Sequence, residues 1–161
     1  MANRYQVIVV GGGPVGMALC VNLGLRDISC ALVESRIEPH RIPKGQNLTQ
    51  RSMEHFHFWG IADEVRAARL LPPDYPMNGI IAYGDLTSEY WYAPSLREVV
   101  NPYYFQNNER LPQYQVEAVL KGKLENLATV EFYLGWSAKY LTQDDDTARV
   151  TIVDQDGTGK K

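Results

Sequence analysis

The 161-residue sequence contains only two cysteines, Cys20 and Cys30, and three histidines. Two thiols exclude a disulfide framework, and their spacing matches neither a zinc-ligand pattern nor a Cys-x-x-Cys redox pair. Each sits among apolar neighbours (Ala18-Leu19-Cys20-Val21 and Ser29-Cys30-Ala31-Leu32), so both are expected as buried structural thiols. His55 and His57 are two apart on an expected helix and do not share a face, so no metal site is expected. No apolar run approaches the roughly 18 residues a membrane span requires. Met1 to Gln6 is too short and polar for the front of a secretory signal, and the apolar stretch behind it is broken by glycines. A cytoplasmic location is therefore expected. Positive charge is also scarce: 16 Lys and Arg stand against 19 Asp and Glu, a net charge of −3. That argues against a nucleic-acid binder working through a basic surface. Internal repeats and low-complexity tracts are absent.

The first 35 residues hold the strongest signal. With 45% hydrophobic and 22% charged residues, the composition is that of a globular domain long enough to bury a core. Tyr5 to Val10 is a continuous β-branched run, as expected of a strand buried on both faces of a parallel sheet. It enters Gly11-Gly12-Gly13-Pro14-Val15-Gly16, followed by an apolar helix from Met17 to Leu25, with Gly24 read as its stop. Ile28 to Val33 is a second short strand, closed by Glu34. Strand, glycine turn, helix and strand make a βαβ unit. Gly11-x-Gly13-x-x-Gly16 matches the dinucleotide fingerprint. Gly11 permits the tight turn, Gly13 lets a pyrophosphate approach the backbone, and Gly16 lets helix and strand pack closely. The pyrophosphate then meets the free N–H groups of the helix N-terminus around Pro14 and Val15. Glu34, 18 positions after Gly16, is placed to accept hydrogen bonds from ribose hydroxyls. A carboxylate there fits NAD or FAD better than NADP, whose 2′-phosphate it would repel.

Arg36 to Lys44 is a basic, proline-punctuated loop. Thr49 reads as the cap of a helix from Gln50 to about Phe58, and Ala62 to Leu70 as another short helix. From Leu71 to Arg110 prolines and most of the ten tyrosines gather, with short strands at Ile80–Tyr83 and Glu89–Tyr92 around the turn Gly84-Asp85. The cluster of Tyr90, Trp91, Tyr92, Tyr103 and Tyr104 reads equally well as an aromatic-substrate pocket or as tyrosines packed on a sheet. Gln113 to Leu127 returns to helical spacing, with Val116, Val119, Leu120, Leu124 and Leu127 on one stripe. Val130–Leu134 and Arg149–Val153 read as the last two strands, with a turn at Gln143–Thr147 between them.

Three stretches carry a family resemblance: Val9 to Met17, Lys44 to Glu54, and Arg110-Leu111-Pro112-Gln113 followed by Val116, Glu117 and Leu120. Together they resemble the class A flavoprotein aromatic hydroxylases, the p-hydroxybenzoate and phenol hydroxylase group, over nearly the whole chain. The resemblance implies an α/β fold. This is a Rossmann-like, glutathione-reductase-like FAD-binding βαβ domain with a β-rich inserted layer. The expected division is 1–70 for the βαβ part, 71–110 for the insertion and 111–161 for the continuation of the FAD-binding domain. It implies FAD on the Gly11–Gly16 loop, Glu34 on its adenosine ribose, and Ser35 and Arg36 near the ribose or adenine. Lys44 stands where relatives often carry an arginine, against the cofactor or the incoming nicotinamide. Gln113 is implied at the ribityl or phosphate region, and Trp136, Ser137 and Ala138 near the adenine, mostly through backbone. For Arg36 and Lys44 a solvated basic loop, for Gln113 a ligand-free helix start, and for Trp136 plain packing remain open readings.

The implied activity is hydroxylation of a small aromatic substrate with NADH or NADPH and O2, with no catalytic acid, base or nucleophile assignable here. Later family segments that complete the FAD site are not found, and Asp156-Gly157 fits better as a hairpin turn. The chain therefore reads as the N-terminal portion of a longer protein, needing a C-terminal half, a partner chain or a homodimer. Alone it is expected to hold FAD weakly and to hydroxylate poorly. Two other readings are a non-catalytic dinucleotide-binding fragment and a small NAD(P)-dependent reductase. The Lys44–Glu54 stretch and the lack of a Tyr-x-x-x-Lys pair stand against the reductase.

Overall fold

Residues 7–10 and 30–34 form β1 (Val7–Val10) and β2 (Cys30–Glu34), parallel and in register from Val7 against Cys30 to Val10 against Val33. In this computed structural model, residues 3–42, 44–72, 81–92, 101–157 and 159–160 are described. Both expected strands are shorter at their N-terminal ends than the apolar runs suggest, because Tyr5, Gln6, Ile28 and Ser29 precede the ladder. Between them runs α1 (Pro14–Gly24), which buries Met17, Cys20, Val21 and Gly24. A Cβ on Gly24 would stand 2.8 Å from a methyl of Val130 and 2.9 Å from Leu127. Gly24 thus serves close packing; the chain reverses three residues later, where Asp27 takes φ 57°.

The third strand of this parallel sheet comes from far along the chain. β7 (Val130–Leu134) pairs with β2 from Cys30 against Val130 to Glu34 against Leu134, giving the order β1-β2-β7. The helix leading into it, α4 (Gln113–Leu124), buries Val116, Leu120 and Leu124 and packs along α1. Successive residues of β2 point to opposite faces, and all of Cys30, Ala31, Leu32 and Val33 are buried, so the strand is covered on both sides. On the second face Ala31 and Val33 meet Tyr133 and Ile152, with Ile8, Trp136 and Val150 packed around them.

Ile152 and Val150 belong to an antiparallel meander of β8 (Ser137–Gln143), β9 (Ala148–Val153) and β10 (Gly159–Lys160). The sequence reading missed β8. Its residues, such as Lys139, Thr142 and Gln143, lie exposed without an apolar alternation, and it exists by pairing with β9 across the Asp144–Thr147 turn. Asp156-Gly157 lies in the turn between β9 and β10, where Gly157 takes φ 81° and its amide donates to the Asp154 carbonyl. Both cysteines are fully buried, and burial pushes the Cys20 thiol up to about 12, as fits a structural group.

Residues Met1–Lys44 and Pro112–Lys161 form one compact unit, and Gly45–Leu111 a second. In the second, β3 (Asn47–Leu48) pairs antiparallel with β6 (Glu109–Arg110). The Thr49 hydroxyl accepts from the Ser52 amide at 3.2 Å and caps α2 (Gln50–Phe58). α3 (Ala62–Ala67) follows, ending short of the expected Leu70. β4 (Ile81–Ala82) and β5 (Trp91–Tyr92) make a short ribbon. Tyr90, Trp91, Tyr92, Tyr103 and Tyr104 are all exposed, and Tyr92 stacks on Tyr83 across the ribbon with ring centroids 6.4 Å apart. Ile80 and the prolines at 73, 76 and 94 lie outside the described residues.

Beyond α3, Arg69 forms an ion pair with Glu109, which is only 1% exposed and whose Oε2 has no hydrogen-bond partner among the described residues. Replacing Arg69 by methionine should strand that charge and lower stability by about 3 kcal/mol, whereas converting both residues to methionine should recover most of the loss. Urea unfolding of the three proteins checks this.

Candidate cofactor site

The turn from β1 into α1 is shaped by contacts within the protein. Gly11 takes φ 110°, a conformation L side chains rarely adopt. A Cβ on Gly16 would fall 1.9 Å from the Gly11 carbonyl oxygen, so only glycine fits there. One on Gly12 would stand 2.7 Å from the Glu34 Cβ. Gly13 differs from these three: its φ of −72° suits any residue, and nothing lies within 4 Å of its Cβ position. The protein itself does not require glycine at 13. The open space faces the first turn of α1, where Pro14 has no N–H and the Val15 and Gly16 amides precede the first intrahelical bond, from Met17 to Gly13 at 3.0 Å. The 11-residue helix carries no acidic residue in its first turn. Open backbone, free donors and the helix dipole together suit an anion.

Glu34 closes β2 beside this turn. Its Oε2 accepts from the Gly12 amide at 2.7 Å. Its Oε1 accepts from the Arg36 amide at 2.9 Å, from Arg36 Nε at 3.2 Å and from the Ser35 hydroxyl at 3.2 Å. Burial pushes this carboxyl up. The Arg36 and Gly12 amides, the Arg36 guanidinium and the Ser35 hydroxyl outweigh it and hold Glu34 below the ordinary glutamate range. It is therefore an ionised acceptor at neutral pH. The Glu34 carbonyl also accepts from the Trp136 amide at 3.0 Å, which ties β2 to the start of the meander.

A cavity of ≈ 230 Å³ opens next to Glu34, lined also by Gly12, Met17, Arg36, Ile37, Glu38, Pro39, Glu117, Ala118, Lys121 and Leu134. It is smaller than the roughly 300–1,000 Å³ of pockets that take a whole drug-sized ligand, so it has room for one portion of a dinucleotide. Of the residues the sequence singles out, Glu34 and Arg36 line it. Ser35 acts through its bond to Glu34. Lys44 is exposed and is not part of the wall. Gln113 lies at the first turn of α4, its Nε2 donating to Glu117 Oε1 at 2.7 Å. Trp136 packs edge-on against Tyr133, with ring centroids 6.2 Å apart. Ser137 and Ala138 open β8, pair with Val153 and Ile152, and do not line the cavity.

Sequence reasoning missed Gly12, Ile37, Glu117 and Lys121. Gln113, Glu117 and Lys121 recur every four residues, a polar stripe that was readable but was overshadowed by the apolar stripe used to recognise the helix. Among the described residues, no group of three or more His, Cys, Asp or Glu is arranged to hold a metal ion. In the second unit, β3 and β6 bring two of the resemblance-bearing stretches together, with Arg110 Nε donating to Asn47 Oδ1 at 3.0 Å and the Leu111 amide to the Gln46 carbonyl at 3.0 Å.

The sequence model of the FAD binding domain matches residues 4–161. The chain belongs to the FAD-binding domain family. It is 28% identical to the FAD-dependent monooxygenase apdD of Emericella nidulans, over 96% of this chain and 26% of that protein. It is 29% identical to a 3-(3-hydroxy-phenyl)propionate/3-hydroxycinnamic acid hydroxylase of Mycolicibacterium gilvum, over 90% of this chain and 24% of that protein. The domain thus spans about a quarter of the length of these curated relatives. In fold it is similar to the flavin-dependent monooxygenase PieE, solved with FAD and substrate, with a TM-score of 0.81 and 23% identity over 98% of this chain and 28% of that one.

The residues present fit FAD. Gly13 leaves the backbone open where the protein itself makes no demand for glycine, and Glu34 is an ionised acceptor beside a cavity. FAD, when bound, supplies the redox chemistry that side chains lack. No helix of the described residues is long and apolar enough to cross a membrane.

Replacing Gly13 by serine should leave the unfolding midpoint of the free domain nearly unchanged, within about 0.5 kcal/mol, because serine is also a good helix cap. The same change should weaken FAD binding roughly tenfold or more by blocking the backbone. Gly16→Ala should lower stability itself; thermal melts and FAD titrations on both variants separate the two glycines. Glu34 gives a pH signature. Its folded pKa is depressed, so its contribution is complete above the ordinary value near 4.5 and is lost as pH falls through the lower folded value. Acid unfolding followed by circular dichroism should show this limb in the native domain and lack it in Glu34→Gln.

Proposed function

We propose that this chain is the FAD-holding N-terminal part of a monooxygenase that uses NAD(P)H and O2 to hydroxylate a small aromatic ring. The observation that carries the reading is the match of residues 4–161 to the FAD binding domain. It accompanies kinship, over 90% or more of this chain, with relatives named as monooxygenases and aromatic-acid hydroxylases.

In this reading the Gly11–Gly16 loop, with Pro14 and Val15, receives the pyrophosphate and Glu34 the adenosine ribose. Ser35 and Arg36 hold Glu34 in its ionised state. The carboxylate disfavours a 2′-phosphate, which supports FAD over NADP at this site. Gln113 meets the ribityl or phosphate region, Lys44 the cofactor or the incoming nicotinamide, and the backbone of Trp136, Ser137 and Ala138 borders the adenine. Further protein, supplied as the rest of a longer chain or as a partner subunit, carries the substrate pocket. The expected setting is the cytoplasm.

The test is a set of binding titrations of FAD, NADH and NADPH on the purified 161-residue chain, followed by flavin and nicotinamide fluorescence. FAD should bind in preference to both nicotinamide dinucleotides, at about micromolar affinity or weaker. Bound flavin should show absorption near 370 and 450 nm, roughly the bands of the cofactor itself. NAD(P)H oxidation stimulated by phenols should then appear once a region matching the rest of the relatives' length is joined to it. Preferential binding of NADH or NADPH would overturn the proposal in favour of a small reductase.

A further inference from the structure

We propose that Glu117 is a positioning residue that turns Gln113 into a hydrogen-bond acceptor, so that Gln113 meets a hydroxyl of the bound cofactor and not its phosphates. This rests on the proposed placement of Gln113 against FAD. Glu117 is 5% exposed, yet it lines the cavity together with Gly12 and Met17 of the cofactor loop and α1. It sits one helical turn after Gln113 on α4 and accepts from Gln113 Nε2 at 2.7 Å.

A carboxylate has no hydrogen to give, so it fixes which end of the carboxamide faces it. The nitrogen turns toward Glu117, and the Gln113 oxygen is left with no donor among the described residues. An amide held in this way presents an acceptor, and the partner of an acceptor is a hydroxyl or N–H. A phosphate offers neither at neutral pH, and it would also stand beside the Glu117 charge in a half-buried place where charges are poorly screened. The cations of the cavity wall are elsewhere. Lys121 lies one turn beyond Glu117, and Arg36 is on the loop after β2. The donors for phosphate are the α1 amides. Within FAD, the hydroxyls not already claimed by Glu34 on the adenosine ribose are those of the ribityl chain.

The test compares FAD with adenosine diphosphate, which keeps the adenosine and both phosphates but has no ribityl chain. Affinities are measured by calorimetry on the 161-residue chain and on Glu117→Gln, Glu117→Ala, Gln113→Ala and the double alanine variant. Glu117→Ala should weaken FAD roughly tenfold, and the isosteric Glu117→Gln less, since an amide still accepts but no longer dictates orientation. Adenosine diphosphate should bind all variants alike. In the Gln113→Ala background, Glu117→Ala should cost nothing more, because its effect passes through Gln113. The unfolding midpoint of Glu117→Gln should match the parent.

Equal losses for FAD and adenosine diphosphate would overturn the proposal, as would additive losses in the double variant. If Gln113→Ala leaves FAD affinity intact while Gly13→Ser and Glu34→Gln weaken it, the cofactor site stands and this inference falls. If none of the three weakens FAD, the site reading falls and takes the inference with it.

Discussion

One hydrogen bond, from the Gly12 amide to the Glu34 carboxylate, joins the ends of the first two strands and sets the geometry of everything around it. It makes the side chain that closes β2 a strut for the turn that leaves β1. The strut works because three further donors, from Ser35 and Arg36, hold the carboxylate ionised despite its burial. The Gly16 contact with the Gly11 carbonyl then fixes where α1 begins. The helix, packed against α4 on one side and the sheet on the other, aims its N-terminal amides at the space in front of Gly13. Local chemistry and long-range packing therefore agree on a single arrangement of the loop.

The βαβ core was legible because several independent signals coincide in 30 residues: a β-branched run, a spaced glycine set, an apolar helix and a terminal acid. The start of the helix at Gln50 was readable through the Thr49 cap, and the strand from Val130 to Leu134 through a run rich in β-branched and aromatic residues. Illegible elements share a physical cause. β8 has no buried face of its own and exists by pairing with its hairpin neighbour β9, while β3 and β6 are two residues each and pair across more than 60 positions of sequence. The same applies to the cavity wall. Glu34 and Arg36 were found because they adjoin a motif, whereas Glu117 and Lys121 reach it from a helix some 80 residues away in sequence.

The two compact units carry different kinds of polar burial. In the first, the half-buried Glu34 and the buried Glu117 border a cavity and are bonded to N–H or O–H donors. In the second, Glu109 is enclosed with Arg69, and one of its oxygens has no partner among the described residues, so the pair ties β6 to the segment after α3. Counting buried acids would not separate these roles; what each carboxylate faces does.

The glycines of the cofactor loop answer to different masters. Three of them, Gly11, Gly12 and Gly16, are demanded by backbone conformation or by neighbouring protein atoms, and any descendant that keeps the fold must keep them. Gly13 is free of both demands. At that position serine or asparagine would even cap the helix better. Glycine at position 13 is thus a choice that the fold leaves open, where the other glycines of the loop are imposed by it.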